Sequence, residues 1–219
     1  MIMRQLDLDQ LLQKFVGEDN NRPIFQKPWR KDGYVCATDT RILIRVNGAL
    51  IDTQYPEGPY ALSKIFPNCS TQIGCVTLEQ LKTALSKCPL VDQTKTIDHD
   101  IECCECHGEG EVYWEYEHYS RKFECPVCDG EGYIEREKVV PTGEKEIDYD
   151  AIVCIGYRYY KGYYLDYIRN AMEKLGIKTA EILIGNNKVG TQFRLNHDID
   201  ILLAECAPGP FHTVYEIKI

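Results

Sequence analysis

Apolar residues recur at helical spacing in three places. Leu8, Leu11, Leu12, Phe15 and Val16 define one face of a short helix, with Asp7 placed to cap it and Gln10 three residues later, as in a capping box. Leu78, Leu81, Leu85 and Cys88 define a second, capped by Thr77 with Gln80 at the box position and closed by Pro89. Tyr164, Ile168, Ala171, Met172 and Leu175 define a third, predicted over Gly162–Leu175 and stopped by Gly176. Elsewhere the period shortens to that of strands. Residues 34–38 and 42–46 flank Asp39-Thr40-Arg41 behind an Asp32-Gly33 turn. Residues 112–119 alternate aromatic with charged positions and predict one strand, with 120–124 as the return. A further strand is expected from Tyr133 to Val140, ending at Pro141-Thr142-Gly143, before a charged boundary over 144–150. The last third predicts a buried strand at 152–157, then strands near 180–184, 191–195 and 199–206, with Gly185-Asn186-Asn187 as the first turn and an edge strand over 213–219. Residues 51–68, rich in proline and glycine, read as irregular.

One stretch does not follow from periodicity. Cys103-Cys104-Glu105-Cys106-His107-Gly108-Glu109-Gly110 and Cys125-Pro126-Val127-Cys128-Asp129-Gly130-Glu131-Gly132 both read C-x-x-C-x-G-x-G. Two residues between cysteines let both sulfurs reach one ion from a single turn, and the glycines permit the positive φ such a turn demands. Cys103, Cys106, Cys125 and Cys128 are the candidate ligands of one structural zinc ion. Cys104 and His107 are adjacent spares, disfavoured by poor chelate spacing. Four protein ligands leave no position for a substrate water, which argues against a catalytic site. The alternatives are cysteines that are free or disulfide-bonded, and a redox dithiol, whose usual setting at a helix N-terminus after a strand is missing.

Composition changes this picture little. No apolar run approaches the roughly 20 residues needed to span a bilayer. Met1 to Asp7 turns polar at once, without the apolar core of a signal peptide, so a cytoplasmic location is expected and no membrane partner. Eleven cysteines then read as metal ligands plus reduced core thiols. Cys36, Cys69, Cys75 and Cys88 are assigned to packing. The formal charge of −9 is unevenly spread. Eight acidic residues and no lysine or arginine lie between Asp98 and His118, whereas 156–178 carries Arg158, Lys161, Arg169, Lys174 and Lys178 against Asp166 and Glu173. The tyrosines at 157, 159, 160, 163, 164 and 167 could stack on bases, but core and rim packing is the favoured assignment.

The cysteine module resembles one zinc-binding half of a DnaJ-type cysteine-rich domain. That family has four repeats and two zinc ions; two repeats here imply one ion. No J domain is found, so a co-chaperone of that kind is not implied, but the resemblance implies peptide or protein contact. The flanks resemble a bacterial DNA sliding-clamp domain. The helix from Leu6 to Val16, Tyr34-Val35-Cys36-Ala37-Thr38-Asp39-Thr40-Arg41-Ile42-Leu43, Ile155-Gly156-Tyr157-Arg158-Tyr159-Tyr160, Leu165-Asp166-Tyr167-Ile168 and the closing Ala204-Glu205-Cys206-Ala207-Pro208 carry that likeness. It implies an α+β fold with helix plus antiparallel strands twice, residues 1–51 and 148–219 forming one discontinuous clamp-like domain. Residues 52–101 would be an inserted linker and helix, and 102–140 the zinc finger, a small β-hairpin module. One such domain encircles DNA only as an oligomer. The expected function is a non-enzymatic, zinc-stabilised binding protein acting on DNA or on DNA-processing proteins. Lys14, Lys161, Arg169 and Lys174 are its candidate DNA contacts, although a solvated helix face explains them equally. The alternative is a peptide-binding, chaperone-like adaptor using Tyr113, Trp114, Tyr116 and Tyr119. An enzyme ranks last, because no nucleophile–base pair and no phosphate-cradling glycine loop is found.

Overall fold

The computed structural model describes residues 5–17, 22–58, 61–66, 70–185, 190–210 and 212–219. In chain order its helices and strands are α1 (Gln5–Gln13), β1 (Trp29–Lys31), β2 (Tyr34–Thr38), β3 (Ile42–Asn47), β4 (Ser70–Thr77) and α2 (Leu78–Leu85). Then come β5 (Leu90–Asp98), β6 (Ile101–Glu102), β7 (Glu111–Tyr116), β8 (Tyr119–Glu124), β9 (Tyr133–Ile134) and β10 (Glu137–Ile147). The last are β11 (Ile152–Ile155), β12 (Arg158–Lys161), α3 (Gly162–Leu175), β13 (Thr179–Gly185), β14 (Thr191–Arg194), β15 (Ile199–Leu203) and β16 (Val214–Ile217). The chain divides into two compact units, one of Met1–Leu90 with Ile147–Ile219, the other of Val91–Glu146.

The larger unit is built on a seven-stranded sheet ordered β1-β2-β3-β15-β14-β13-β4, antiparallel throughout. Its register follows from alternation. Val35 and Ala37, Ile42, Ile44 and Val46, and Ile199, Ile201 and Leu203 point into the main core. There they meet Leu8, Leu11, Leu12 and Phe15 of α1, Leu81, Ala84 and Leu85 of α2, and Leu165, Ile168, Ala171 and Met172 of α3. The intervening Cys36, Leu43 and Leu202 point to the opposite face, into a smaller cluster with Trp29, Leu62 and Phe66. A three-stranded sheet, β12-β11-β16, completes the unit, with β16 parallel to β11.

Several expectations change. Asp7 lies inside α1 and does not precede it. Residues 52–90, expected as linker and helix outside the scaffold, belong to the larger unit. The physical reason is burial: β4 adds to β13 at the sheet edge, and α2 places Leu81, Ala84 and Leu85 in the main core. The strand expected over 112–119 is a hairpin, turning at Glu117-His118 with Glu117 at φ 53°. β10 runs through Pro141-Thr142-Gly143, which a two-stranded ribbon tolerates because both strands are edges. The predicted capping box of α2 is present, with Thr77 Oγ1 accepting from the Gln80 N–H and Gln80 Oε1 accepting from the Thr77 N–H. Asn186-Asn187 and Cys69 lie outside the described residues.

Candidate metal centre

The four predicted cysteines converge. Cys103 precedes one tight turn after β6 and Cys125 another after β8, each followed three residues later by its partner. All four sulfurs lie within 4.8 Å of one another, and all four residues are buried. Cys103 Sγ and Cys125 Sγ are 3.8 Å apart, and Cys106 Sγ and Cys128 Sγ 3.7 Å. A disulfide needs about 2.05 Å, so these are thiols. A tetrahedral ion with four metal–sulfur bonds of about 2.3 Å has sulfur–sulfur edges of about 3.8 Å, so the donor set fits zinc in both chemistry and spacing.

The two repeats superpose their bonding on one another. The Cys103 N–H donates to the Gly132 carbonyl and the Cys125 N–H to the Gly110 carbonyl, each at 2.8 Å. Within each turn the N–H of the second glycine donates to the second sulfur, Gly110 to Cys106 Sγ at 3.3 Å and Gly132 to Cys128 Sγ at 3.2 Å. Such bonds orient a thiolate and disperse its charge. The Cys103 thiol is itself drawn down to about 7, chiefly by the backbone N–H of Cys106, against the opposing effect of burial. His107 and Asp129 occupy equivalent left-handed positions, at φ 51° and 48°, and His107 is exposed. Cys104 is also exposed, and neither spare belongs to the cluster.

The other candidates fall in two groups. Tyr113, Trp114, Tyr116 and Tyr119 all sit on the β7–β8 hairpin, each more than half exposed. The register pairs Trp114 with Arg121 and Val112 with Phe123. Phe123 is half exposed and joins these candidates; the alternation of Tyr119, Arg121 and Phe123 is the sequence signal for it. Of the candidate DNA contacts, Lys14 and Lys174 are exposed. Lys161 Nζ is 3.0 Å from Asp150 and lies over the Tyr149 ring, and Arg169 pairs with Asp166 at 2.7 Å and Glu173 at 2.9 Å. In the tyrosine cluster, Tyr160 is fully buried and donates to Thr191 Oγ1, while Tyr157 is exposed. Cys75, expected in packing, is exposed on β4, an edge strand.

Sequence reasoning passed over one further feature. A groove of about 690 Å³ in the larger unit is lined by Pro23, Ile24, Ile42, Leu43 and Leu202, with Arg41 among its polar neighbours. No helix among the described residues is long and apolar enough to cross a membrane.

Comparison with solved structures finds bacterial DNA polymerase sliding clamps. The clamp of Bacillus subtilis is similar with a TM-score of 0.46 at 11% identity, over 93% of this chain and 62% of that one. The Caulobacter crescentus clamp gives 0.47 at 12% identity, over 94% and 64%. The Helicobacter pylori β clamp, solved bound to a DNA ligase peptide, gives 0.44 at 12% identity, over 92% and 63%. This chain therefore spans less than two thirds of each of those chains. No family model and no curated protein matches it.

Proposed function

We propose that this chain is a non-enzymatic binding protein, held together in its smaller unit by one structural zinc ion, whose scaffold binds proteins that work on DNA. The observation that carries the reading is the donor set: four buried sulfurs within 4.8 Å of one another, two pairs of them at the edge length of a zinc tetrahedron, which would leave no corner for a reacting water. The cysteines would hold the ion, and it would supply cross-linking, not Lewis-acid chemistry. Protein is favoured over DNA as the partner by two features. The groove is lined mainly by apolar side chains, which suit an apolar protein segment, and two of the four candidate DNA cations are already paired with carboxylates. The choice of DNA-processing partners follows from the sequence likeness of the flanks to clamp domains.

Labelled tail peptides from DNA polymerases and DNA ligases, titrated against the full chain, test it. Saturable binding that is lost in Ile24→Glu, with thermal stability unchanged, is the expected result; Ile24 is 42% exposed, so the change need not unfold the chain. Binding of duplex DNA instead, steeply weakened by salt and lost in Lys161→Glu, would overturn the reading in favour of DNA.

A further inference from the structure

We propose that the aromatic face of the β7–β8 hairpin docks an extended, basic polypeptide segment. Paired residues of an antiparallel hairpin share a face, so the register puts Val112, Trp114, Tyr116, Tyr119, Arg121 and Phe123 on one side. On that side Trp114 is 53% exposed, Tyr116 59%, Tyr119 72% and Phe123 51%. The Trp114 and Tyr116 rings stack at 5.8 Å and 15°. None of these four rings supports the module's own core, which consists of the four cysteines with Val112 and Ile134 packed against them. An open groove of about 890 Å³ is lined by Val112, Trp114, Phe123 and Pro126, with Glu105 and Glu124 among its lining residues. An apolar face left this bare is a contact surface.

Charge selects the occupant. From Asp98 to Ile134 there are eleven acidic residues against Arg121 and Lys122. Lys122 is tied to Glu111 at 2.6 Å and lies over Tyr113, on the other face of the hairpin. Nucleic acid would bring phosphates into this acidic field, and a second copy would bring the same acidic module; both are repelled. A segment carrying arginines is attracted, and its guanidinium planes can stack on Trp114 and Tyr116. Among the described residues β7 and β8 pair only with each other, so each offers an edge to which an extended segment can add as a strand. Arg121 marks the point where the occupant needs a neutral or acidic side chain. This inference rests on the finger alone and not on the scaffold groove, so the two fail separately.

The test uses the full, metal-loaded chain and a short fluorescein-labelled peptide alternating arginine with leucine, beside its counterpart with glutamate for each arginine. The arginine peptide is expected to bind saturably, more weakly as salt rises, and to change the emission of Trp114; the other tryptophan, Trp29, is buried. Trp114→Ala combined with Tyr116→Ala should weaken binding at least about tenfold with metal content unchanged, and Trp114→Phe should retain it. Tyr119→Ser, at the hairpin tip away from the cysteines, should weaken it several-fold and guards against a misfolded double variant. Equal binding of the glutamate peptide would overturn the proposal. So would full binding by the tip and double variants, saturable binding of labelled DNA that these variants abolish, or self-association that they abolish.

Discussion

A methyl group at Gly110 would lie 2.2 Å from the Gly130 carbonyl oxygen, and one at Gly132 would lie 2.4 Å from that of Gly108. Both glycines also have positive φ, at 72° and 82°. Each donates to a sulfur, so their role goes beyond turning the chain: they let the two repeats approach and solvate the thiolates. Gly110→Ala is expected to weaken metal binding by about 10–100-fold in competition with a chromophoric chelator, and an unchanged affinity would contradict this account. The glycine pattern was legible in the sequence because the chelating turn is local, but the cross-repeat contact was not, since it depends on how two turns meet. Thiols of the scaffold act differently. Burial pushes Cys36 up to about 12 and Cys88 to about 11, against 9.0 for an ordinary thiol. The folded chain therefore keeps protons that the unfolded chain releases. Their contribution to stability is intact below pH 9 and is lost as pH rises from there toward 11–12, for Cys36 with a slope approaching about 1.4 kcal/mol per pH unit. Urea midpoints should fall between pH 9 and 11, and fall less in Cys36→Ala; a flat profile would count against the burial argument.

Among the elements, α2 shows how far local chemistry reaches. Its start was legible from Thr77 and Gln80 because a capping box is written within four residues. Thr77→Ala should cost about 1 kcal/mol of the larger unit's stability in denaturant melts, and a change below about 0.3 kcal/mol would show that tertiary packing alone positions the helix. Its membership in the main core was not legible, because that depends on β4 pairing with β13, a contact across some hundred residues of chain. The turn of the hairpin was not legible for the opposite reason. Alternation continues from Val112 through Tyr119 without a glycine or asparagine to mark the turn, and Glu117 takes the left-handed conformation there. β5 was missed because nearly every residue from Leu90 to Asp98 is exposed, so no face carries an apolar period.

At the scale of the whole molecule, the two units are stabilised by different means. The larger has a continuous apolar core; the smaller has four cysteines with Val112 and Ile134. A core that small does not support folding alone, and the proposed zinc ion would supply the difference. Chelation of the reduced chain is expected to remove amide-exchange protection across 91–146 while leaving β2, β3, β14, β15 and α3 protected. Uniform loss, or none, would show that the units are not energetically separate. β2 and β3 from the first part of the chain lie beside β15, β14 and β13 from the last part in one sheet. The central claim is that a closed tetrathiolate zinc site holds the smaller unit. X-ray absorption at the zinc edge, on reduced protein purified with its native metal, tests it most directly. The expected result is about one zinc per chain with four sulfur neighbours at about 2.3 Å. Substoichiometric zinc, or a nitrogen or oxygen neighbour in its first shell, would contradict it.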